Sequence, residues 1–361
     1  MTFRTMTSVT LVAFVGFVAA CSGSGAAKSN AAANDSAGAS GSATASSGAL
    51  TGSKGTKSAD SAAGIAANDA TSATADTAHG ALPANHNGRI PVLEYHVIAG
   101  TQNALYTRTA ASFKADLEDI YKRGYRPITI AQMLDKNFTD VPNGMSPVVF
   151  VFDDASPEQF SYIEGADGKL TIDPTTAVGI WEDFMKNHPG WKNRGTFCML
   201  NGASAGHNFF GDNPKYHAQK KEWRFQKVKW LADQGFELCD HTVWHMMLNK
   251  YPDAAVQQQI AGNMMAIDSA VPGYKIRTMA LPYGLWPKNR QLAWQGTWTD
   301  PKTGQAHPYQ FEAVLEVAGG PAKSPYDPSF NPHSITRIQA VANDISKVLD
   351  GLDKSKTRFV K

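Results

Sequence analysis

Short apolar segments alternate with longer segments of helical periodicity from residue 89 to about residue 350, and this alternation constrains the fold more than any other feature of the sequence. The apolar segments have the length of buried strands, and a strand–helix repeat favours a parallel sheet covered by helices. Roughly six to eight such units suit a closed barrel better than a small open sheet. The sequence therefore predicts an α/β fold, a distorted (β/α) barrel.

The bounds of these segments follow from apolar runs and from helix-breaking residues. Pro147 precedes one apolar run, and Gly235 ends a helical pattern just before another. The predicted strands are 148–152, 195–200, 236–239, 276–280, 313–317 and 335–338, and the predicted helices are 112–123, 175–187, 223–234, 252–269 and 340–352. Active sites of such barrels gather at the C-terminal ends of the strands, so the residues that follow each strand are the first candidates for function.

The first 21 residues have the features of an export signal. Arg4 supplies a positive charge, and the apolar run over 9–18 is too short to cross a bilayer. The segment 18–21, Val-Ala-Ala-Cys, resembles a bacterial lipobox, in which the cysteine becomes the lipidated N-terminus of the mature protein. We predict a lipoprotein signal peptide over 1–21 with lipidation at Cys21, and a plain signal peptide is the alternative. The protein is then exported and membrane-anchored, and it faces the periplasm or the cell exterior.

The next segment, 22–85, consists almost entirely of small and polar residues. Such a segment cannot bury enough apolar area to offset its ordering entropy, so we expect a disordered tether. One folded domain follows over 86–361. The formal net charge of +2 gives no reason to expect nucleic acid as a partner, and we expect a monomer.

Two cysteines, Cys198 and Cys239, remain after Cys21. An exported location permits a disulfide, and each cysteine lies near the end of a predicted strand. We expect two buried free thiols rather than a bridge between these strands. The spacing does not resemble a structural zinc site.

Polar residues follow two of the predicted strands directly. Asp153 and Asp154 come after 148–152, and His241 and His245 come after 236–239. Two histidines and one carboxylate form a three-ligand set that leaves positions open for water and substrate, which is typical of a catalytic metal site. The second aspartate is then free to act as a base. Each pair alone also fits a turn or a chance spacing, but their joint placement at strand ends favours function.

Five segments resemble motifs of a known enzyme family in order and in spacing. They are Val-Phe-Asp-Asp at 151–154, Gly-Phe-Glu-Leu-Cys-Asp-His-Thr-Val-Trp-His at 235–245, Leu-Pro-Tyr-Gly at 281–284, Gly-Thr-Phe at 195–197 and Pro-Val-Leu-Glu-Tyr-His at 91–96. The family is that of the polysaccharide deacetylases with a NodB-homology domain, carbohydrate esterase family 4. The segment at 91–96 resembles the opening strand of the branch that acts on poly-N-acetylglucosamine. The resemblance spans roughly residues 89–350 and implies a barrel of the NodB type.

This resemblance also implies roles for individual residues. Asp154, His241 and His245 would bind a divalent metal, commonly zinc. Asp153 would be the general base, and the backbone N–H of Tyr283 would stabilise the oxyanion. The reaction would release acetate from an acetamide group of a cell-envelope or extracellular polysaccharide, such as poly-N-acetylglucosamine, peptidoglycan or a chitin-like polymer.

The sequence departs from the family pattern at several positions. Ala155 replaces a glycine, and Ala280 replaces the arginine that normally orients the base. Arg277, three residues earlier, would need a different path to replace it. For the general acid we predict His333, which precedes the last predicted strand, and His307 is the weaker candidate.

Other interpretations remain open. Ser204, at the centre of the Gly-x-Ser-x-Gly pattern at 202–206, fits a serine hydrolase, but a loop rather than a helix follows it. A non-catalytic carbohydrate-binding lipoprotein and an O-acetyl esterase are the further alternatives. Trp244 and Trp286 flank the motifs, and for both we expect a core position rather than contact with sugar.

Overall fold

The structure, a computed structural model, describes residues 81–203, 207–215, 217–341 and 344–361. The predicted signal peptide with Cys21, residues 22–80 of the predicted tether and Ser204 lie outside the described residues. No helix in the described ranges is long and apolar enough to cross a membrane.

Seven parallel strands form a closed barrel in which neighbours in sequence are neighbours in the sheet. The strands are β1 (Val92–Tyr95), β2 (Ser146–Asp153), β3 (Thr196–Met199), β4 (Glu237–Asp240), β5 (Thr278–Ala280), β6 (Ala313–Gly319) and β7 (Ile335–Gln339). The barrel closes because β1 pairs with β2 on one side and with β7 on the other. An eighth parallel strand, Tyr125–Ile128, pairs with the first half of β2 outside the closure. The predicted (β/α) barrel is confirmed.

Helices surround the barrel, and four pairs of short strands lie outside it. The helices are α1 (Ala110–Lys122), α2 (Ile130–Leu134), α3 (Ala177–Asn187), α4 (Arg224–Gln234), α5 (Asp253–Ala270) and α6 (Asp344–Ser355). The short strands pair as Arg89–Ile90 with Ala322–Lys323, Val97–Ile98 with Thr107–Arg108, Tyr162–Glu164 with Leu170–Ile172, and Gln295–Thr299 with Ala306–Gln310. All five predicted helices are present, but α2, the Tyr125–Ile128 strand and the pairs of short strands were not predicted. These extra elements are short, so their periodicity gives a weak signal.

The two faces of each barrel strand pack in different layers, as β2 shows. Phe150 packs edge-on against Trp181 of α3 at 5.0 Å between ring centroids, in the layer between barrel and helices. Val149 and Val151 belong to a second apolar cluster inside the barrel. Side chains of a strand alternate between faces, so Asp153 shares the inner face at the C-terminal end of β2. A strand buried on both faces explains the nearly continuous apolar run.

The expectation of two free thiols is wrong. Cys198 of β3 and Cys239 of β4 are register partners with Cα atoms 4.2 Å apart, and they form a disulfide. Both side chains lie in the cluster inside the barrel. The sequence predicts that these strands are neighbours, but the register that places both cysteines at the same level on the inner face emerges only from the assembled sheet.

The disulfide generates a prediction for stability. It closes a loop with a sequence separation of 41 residues, for which the loss of chain entropy in the unfolded state corresponds to ~4 kcal/mol. We expect the double variant Cys198→Ala/Cys239→Ala to lose about that free energy of unfolding, measured by denaturant titration. A reductant present throughout the titration, which reaches the bond in the unfolded chain, should destabilise the wild-type protein by a similar amount and leave the double variant unaffected. Equal unfolding free energies of wild type and variant would contradict this account.

Candidate functional site

A cavity of about 280 Å³ lies at the C-terminal ends of the barrel strands. Its lining residues are Glu94, His96, Val97, Tyr106, Asp153, Asp154, His207, His241, His245, Leu281, Tyr283 and Val317. The structure thus brings together five of the six predicted catalytic and metal-binding residues, and leaves His333 out. A larger cavity, of about 910 Å³, lies between residues 82–85 and the C-terminal segment and contains none of the predicted site residues.

Asp154, His241 and His245 form a candidate metal centre at the bottom of this cavity. The carboxylate Oδ1 of Asp154 lies 3.3 Å from Nε2 of His241 and 3.5 Å from Nε2 of His245. Oδ1 of Asp154 and Nε2 of His241 are both buried without a hydrogen-bond partner. Nδ1 of His241 donates to the carbonyl of Ala280 at 2.9 Å, which leaves Nε2 as the atom that offers a lone pair. Such atoms can donate an electron pair to a metal, and because they are buried, converge and lack hydrogen-bond partners they fit a divalent metal.

The charge states of Asp154 and His245 also fit a metal. For His241, burial opposes protonation but the charges of Asp153 and Asp154 outweigh it and raise the pKa, so a metal would displace its proton. Burial, and then the neighbouring His241, lower the pKa of His245 to about 4, so its imidazole is neutral at neutral pH. Burial opposes the ionisation of Asp154, but the neighbouring His241 outweighs it and holds the pKa of Asp154 below its usual range. A carboxylate and a neutral imidazole are the forms that bind metal.

The backbone of the site is strained. Asp154, Thr242, His245 and Tyr283 all have positive φ angles, of 78°, 70°, 53° and 57°. Ala155, where the family pattern has glycine, has a φ of 48°. Residues with a Cβ rarely adopt this conformation, and such residues cluster at functional sites. The glycine of the motif therefore reflects a backbone requirement that this chain meets with alanine.

Asp153 forms a buried ion pair with an arginine that the sequence analysis missed. Nη1 of Arg337, on β7, donates to both carboxylate oxygens of Asp153 at 2.9 and 2.8 Å. Both residues are only 1% exposed. Burial alone would raise the pKa of Asp153, but the charges of Arg337 and His241 outweigh it and lower the pKa below its ordinary value. Asp153 is therefore ionised at neutral pH, as a general base must be.

Arg337 thus gives Asp153 a guanidinium partner, which the resemblance would place at position 280. Arg277, the candidate considered from the sequence, pairs instead with Asp135 and Glu312. A signal for Arg337 was present, because a charged residue within the apolar segment 335–338 has to be buried and paired. The family pattern places the arginine at position 280 on β5, whereas in this structure it comes from β7.

Glu94 and His96, from the end of β1, complete the inner wall of the site. Oε1 of Glu94 lies 3.5 Å from Nε2 of His96 and 3.6 Å from Nη2 of Arg337. Burial raises the pKa of Glu94 to about 8, against the opposing charge of Arg337. The sequence places both residues in the 91–96 motif but predicts no catalytic role for either, and His96 was expected to be structural or at the surface, although the rule that identified Asp153 also applies to the end of β1. Together with Asp153 they form a second cluster of possible ligands, but Arg337 already neutralises the charge there.

The two histidines predicted as general acid lie elsewhere. His333 precedes β7, at the end of the barrel opposite the cavity, and its ring stacks on Trp294 with 4.5 Å between centroids. His307 lies in the Ala306–Gln310 strand and stacks on Trp298. Neither residue lines the cavity, so their placement does not support the predicted role.

Comparisons with known proteins agree with this architecture. Residues 191–295 match a family model described as polysaccharide deacetylase, the family that the motifs resemble. This segment contains His241, His245 and Tyr283. No curated protein sequence matches the chain.

One similar solved structure reaches a TM-score of 0.50 and supports the fold. The deacetylase PplD of Streptococcus pyogenes, solved with acetate, is 16% identical with a TM-score of 0.50, over 73% of this chain and 98% of that one. BpsB of Bordetella bronchiseptica is 16% identical with a TM-score of 0.45, over 71% of this chain and 97% of the deacetylase domain. IcaB of Ammonifex degensii is 14% identical with a TM-score of 0.45, over 73% and 96%. At these identities the comparison with PplD establishes the fold alone.

The Arg337–Asp153 pair predicts a shift in the pH dependence of deacetylation. In Arg337→Met the buried Asp153 loses its counter-charge, so burial raises its pKa and the base is protonated up to a higher pH. We expect the acid limb of the kcat/KM profile to move to higher pH and the rate at pH 7 to fall about 100-fold. Arg337→Lys should recover part of both losses. Arg277→Met is the matched control, and a profile shifted equally in that variant would refute the assignment.

Proposed function

We propose that the protein is a metal-dependent hydrolase that removes N-acetyl groups from a cell-envelope or extracellular polysaccharide. The observation that carries this proposal is that two adjacent carboxylates have different partners. Asp154 converges with His241 and His245, whereas Asp153 is paired with Arg337 and has no place in that ligand set. An open ligand set beside an ionised base is the arrangement that hydrolysis of an amide requires.

Asp154, His241 and His245 would hold the metal, for which we propose zinc. When bound, it would supply positive charge that polarises the acetyl carbonyl and acidifies water. The unpaired Oδ1 of Asp154 and Nε2 of His241 support this assignment.

The remaining residues of the cavity supply proton transfer and positioning. Asp153, held ionised by Arg337, accepts the proton of the attacking water. The backbone N–H of Tyr283 stabilises the negative charge that develops on the acetyl oxygen, and the loss of such a donor typically costs about 3 kcal/mol. The side chain of Tyr283 is 51% exposed and its ring lies 4.2 Å from that of His245, so it stands at the mouth of the cavity.

For the proton donor we propose His96 with Glu94 in place of His333. Burial lowers the pKa of His96, so its imidazole is neutral before the reaction. It therefore transfers a proton from Glu94 to the leaving amine. Glu94, whose pKa of about 8 keeps it protonated at neutral pH, supplies the proton. Opposite shifts in Asp153 and Glu94 give one base and one acid in the same cavity.

We further propose that the enzyme is an exported monomer tethered to a membrane. The sequence features that support this proposal are the lipobox ending at Cys21 and the polar segment over 22–85. The acetylated polysaccharide and the membrane, reached through the lipid anchor, are then its partners.

The function is tested by acetate release from a panel of chitooligosaccharide, poly-N-acetylglucosamine, peptidoglycan and acetylxylan. We expect release from at least one N-acetylated glycan, loss of activity with a chelator and recovery with zinc. Asp153→Asn should abolish activity but retain metal, whereas His241→Ala should lose both, as measured by metal content. Full activity in Asp153→Asn would refute the assigned base.

Other outcomes of the same panel favour the alternatives. Release from acetylxylan alone favours an O-acetyl esterase. Bound metal without release from any glycan favours a carbohydrate-binding lipoprotein. Activity that resists chelation but is lost in Ser204→Ala favours a serine hydrolase.

The proposed proton donor predicts a difference between amides and esters. An amine must be protonated to leave, whereas an alkoxide leaves more readily, so loss of the acid should impair amide cleavage more. We expect His96→Gln to lower kcat on an N-acetyl substrate about 100-fold and on an O-acetyl ester less than tenfold. His333→Gln serves as the control, and a larger loss in that variant would return the role to His333.

A further inference from the structure

The proposed acid and base come from the ends of two adjacent strands, in the buried part of the site. His96 follows β1 directly, and Asp153 is the last residue of β2. Asp153 is 1% exposed, whereas Trp244, beside the ligand His245, is 61% exposed, contrary to the core position expected from the sequence. The loop after β4 is therefore open to solvent, while the spacing between acid and base is set in the interior.

The backbone pairing between β1 and β2 ends just before these two residues. The last register pair is Tyr95 with Phe152. One step further along a parallel ladder, the N–H of Val97 would donate to the carbonyl of Asp153. It donates instead to the carbonyl of Tyr106, at 3.1 Å. The carbonyl of Asp153 therefore needs a donor from elsewhere.

The side-chain amide of Gln159 supplies that donor. Gln159 is 0% exposed, and its Nε2 donates to the carbonyl of Asp153 and, at 2.8 Å, to the carbonyl of His96. Both amide hydrogens are thus used. A flipped amide would direct Oε1 at two carbonyl oxygens, so these acceptors fix its orientation. The amide links the two strands beyond their last backbone pair.

The position of Gln159 is fixed by its own backbone. Its N–H donates to the carbonyl of Ser156, and its carbonyl accepts from the N–H of Val178 in the first turn of α3, both at 3.0 Å. Its Oε1 is buried without a hydrogen-bond partner among the described residues. An unpaired buried oxygen costs free energy that an apolar side chain of similar size avoids. Stability alone therefore does not explain a glutamine at this position.

We propose that Gln159 is a positioning residue that holds His96 at a fixed distance from Asp153, which rests on the proposed function. Gln159 is not among the residues that line the cavity, so it acts through the two carbonyls and not through contact with substrate. The acid and the base have to act on the same acetamide group. A displacement of about 1 Å between such groups lowers a rate on the order of 100-fold.

The first test compares Gln159→Leu with Gln219→Leu. Gln219 is a matched control, because it is also 0% exposed and its Nε2 also donates to two backbone carbonyls, those of Tyr162 and His217, which lie outside the cavity. We expect Gln159→Leu to lower kcat for N-acetyl release about 100-fold with KM and metal content unchanged, and Gln219→Leu to lower it less than about twofold. Equal losses in the two variants, or loss of metal in Gln159→Leu, overturn the proposal.

Two further variants distinguish positioning from a general loss of stability. Gln159→Glu keeps the size of the side chain but has at most one hydrogen for two carbonyls, so we expect an intermediate loss in kcat of about tenfold. In a His96→Gln background the acid is already lost, so Gln159→Leu should cost less than about tenfold, because the two changes remove one function. A wild-type kcat in Gln159→Glu, or effects that multiply in full in the double variant, overturn the proposal.

Amide hydrogen exchange distinguishes a failure of this role of Gln159 from a failure of the proposed function. If the wild type releases no acetate, the proposed function fails. Faster exchange over 96–98 and 153–155 in Gln159→Leu than in Gln219→Leu still supports the link between the strands. Equal exchange over these segments in the two variants overturns it, whether or not acetate is released.

Discussion

The ion pair between Arg337 and Asp153 lies inside the barrel, where each residue is 1% exposed. Neither charge could remain there alone, since removing one partner of a buried pair leaves the other uncompensated at a cost of about 3–5 kcal/mol. The two residues come from β7 and β2, which both pair with β1. The strand pairing that closes the barrel therefore also brings the guanidinium next to the carboxylate. The ionised state of the candidate base depends on that closure.

Three carboxyl groups share the cavity, and their surroundings give each a different state. Asp153 is ionised beside Arg337, and Asp154 is ionised beside His241. Glu94, for which burial dominates over the charge of Arg337, stays protonated at neutral pH. Identical functional groups thus acquire different chemistry from their neighbours, and the cavity can hold a base, a metal ligand and an acid without mutual repulsion of three negative charges.

The sequence was sufficient to predict the barrel and the convergence of Asp154 with His241, because both follow from where strands end. It was insufficient where the outcome depended on register or on which face of a strand a residue occupies. Arg337 and His333 lie four residues apart, and the family pattern, which includes a histidine as general acid, favoured His333. Only the assembled barrel shows that Arg337 reaches Asp153 while His333 stays at the far end. The Cys198–Cys239 bridge was missed for the same reason.

That bridge has a consequence for the order of events during maturation. Both cysteines are 0% exposed within the closed barrel, so no oxidising agent or thiol exchange partner can reach them in the finished protein. Thiol–disulfide exchange needs access to a sulfur atom. The bond therefore has to form before the barrel encloses both sulfur atoms. If the chain completes its fold in a reducing compartment, both thiols stay reduced, because a later oxidant cannot reach them.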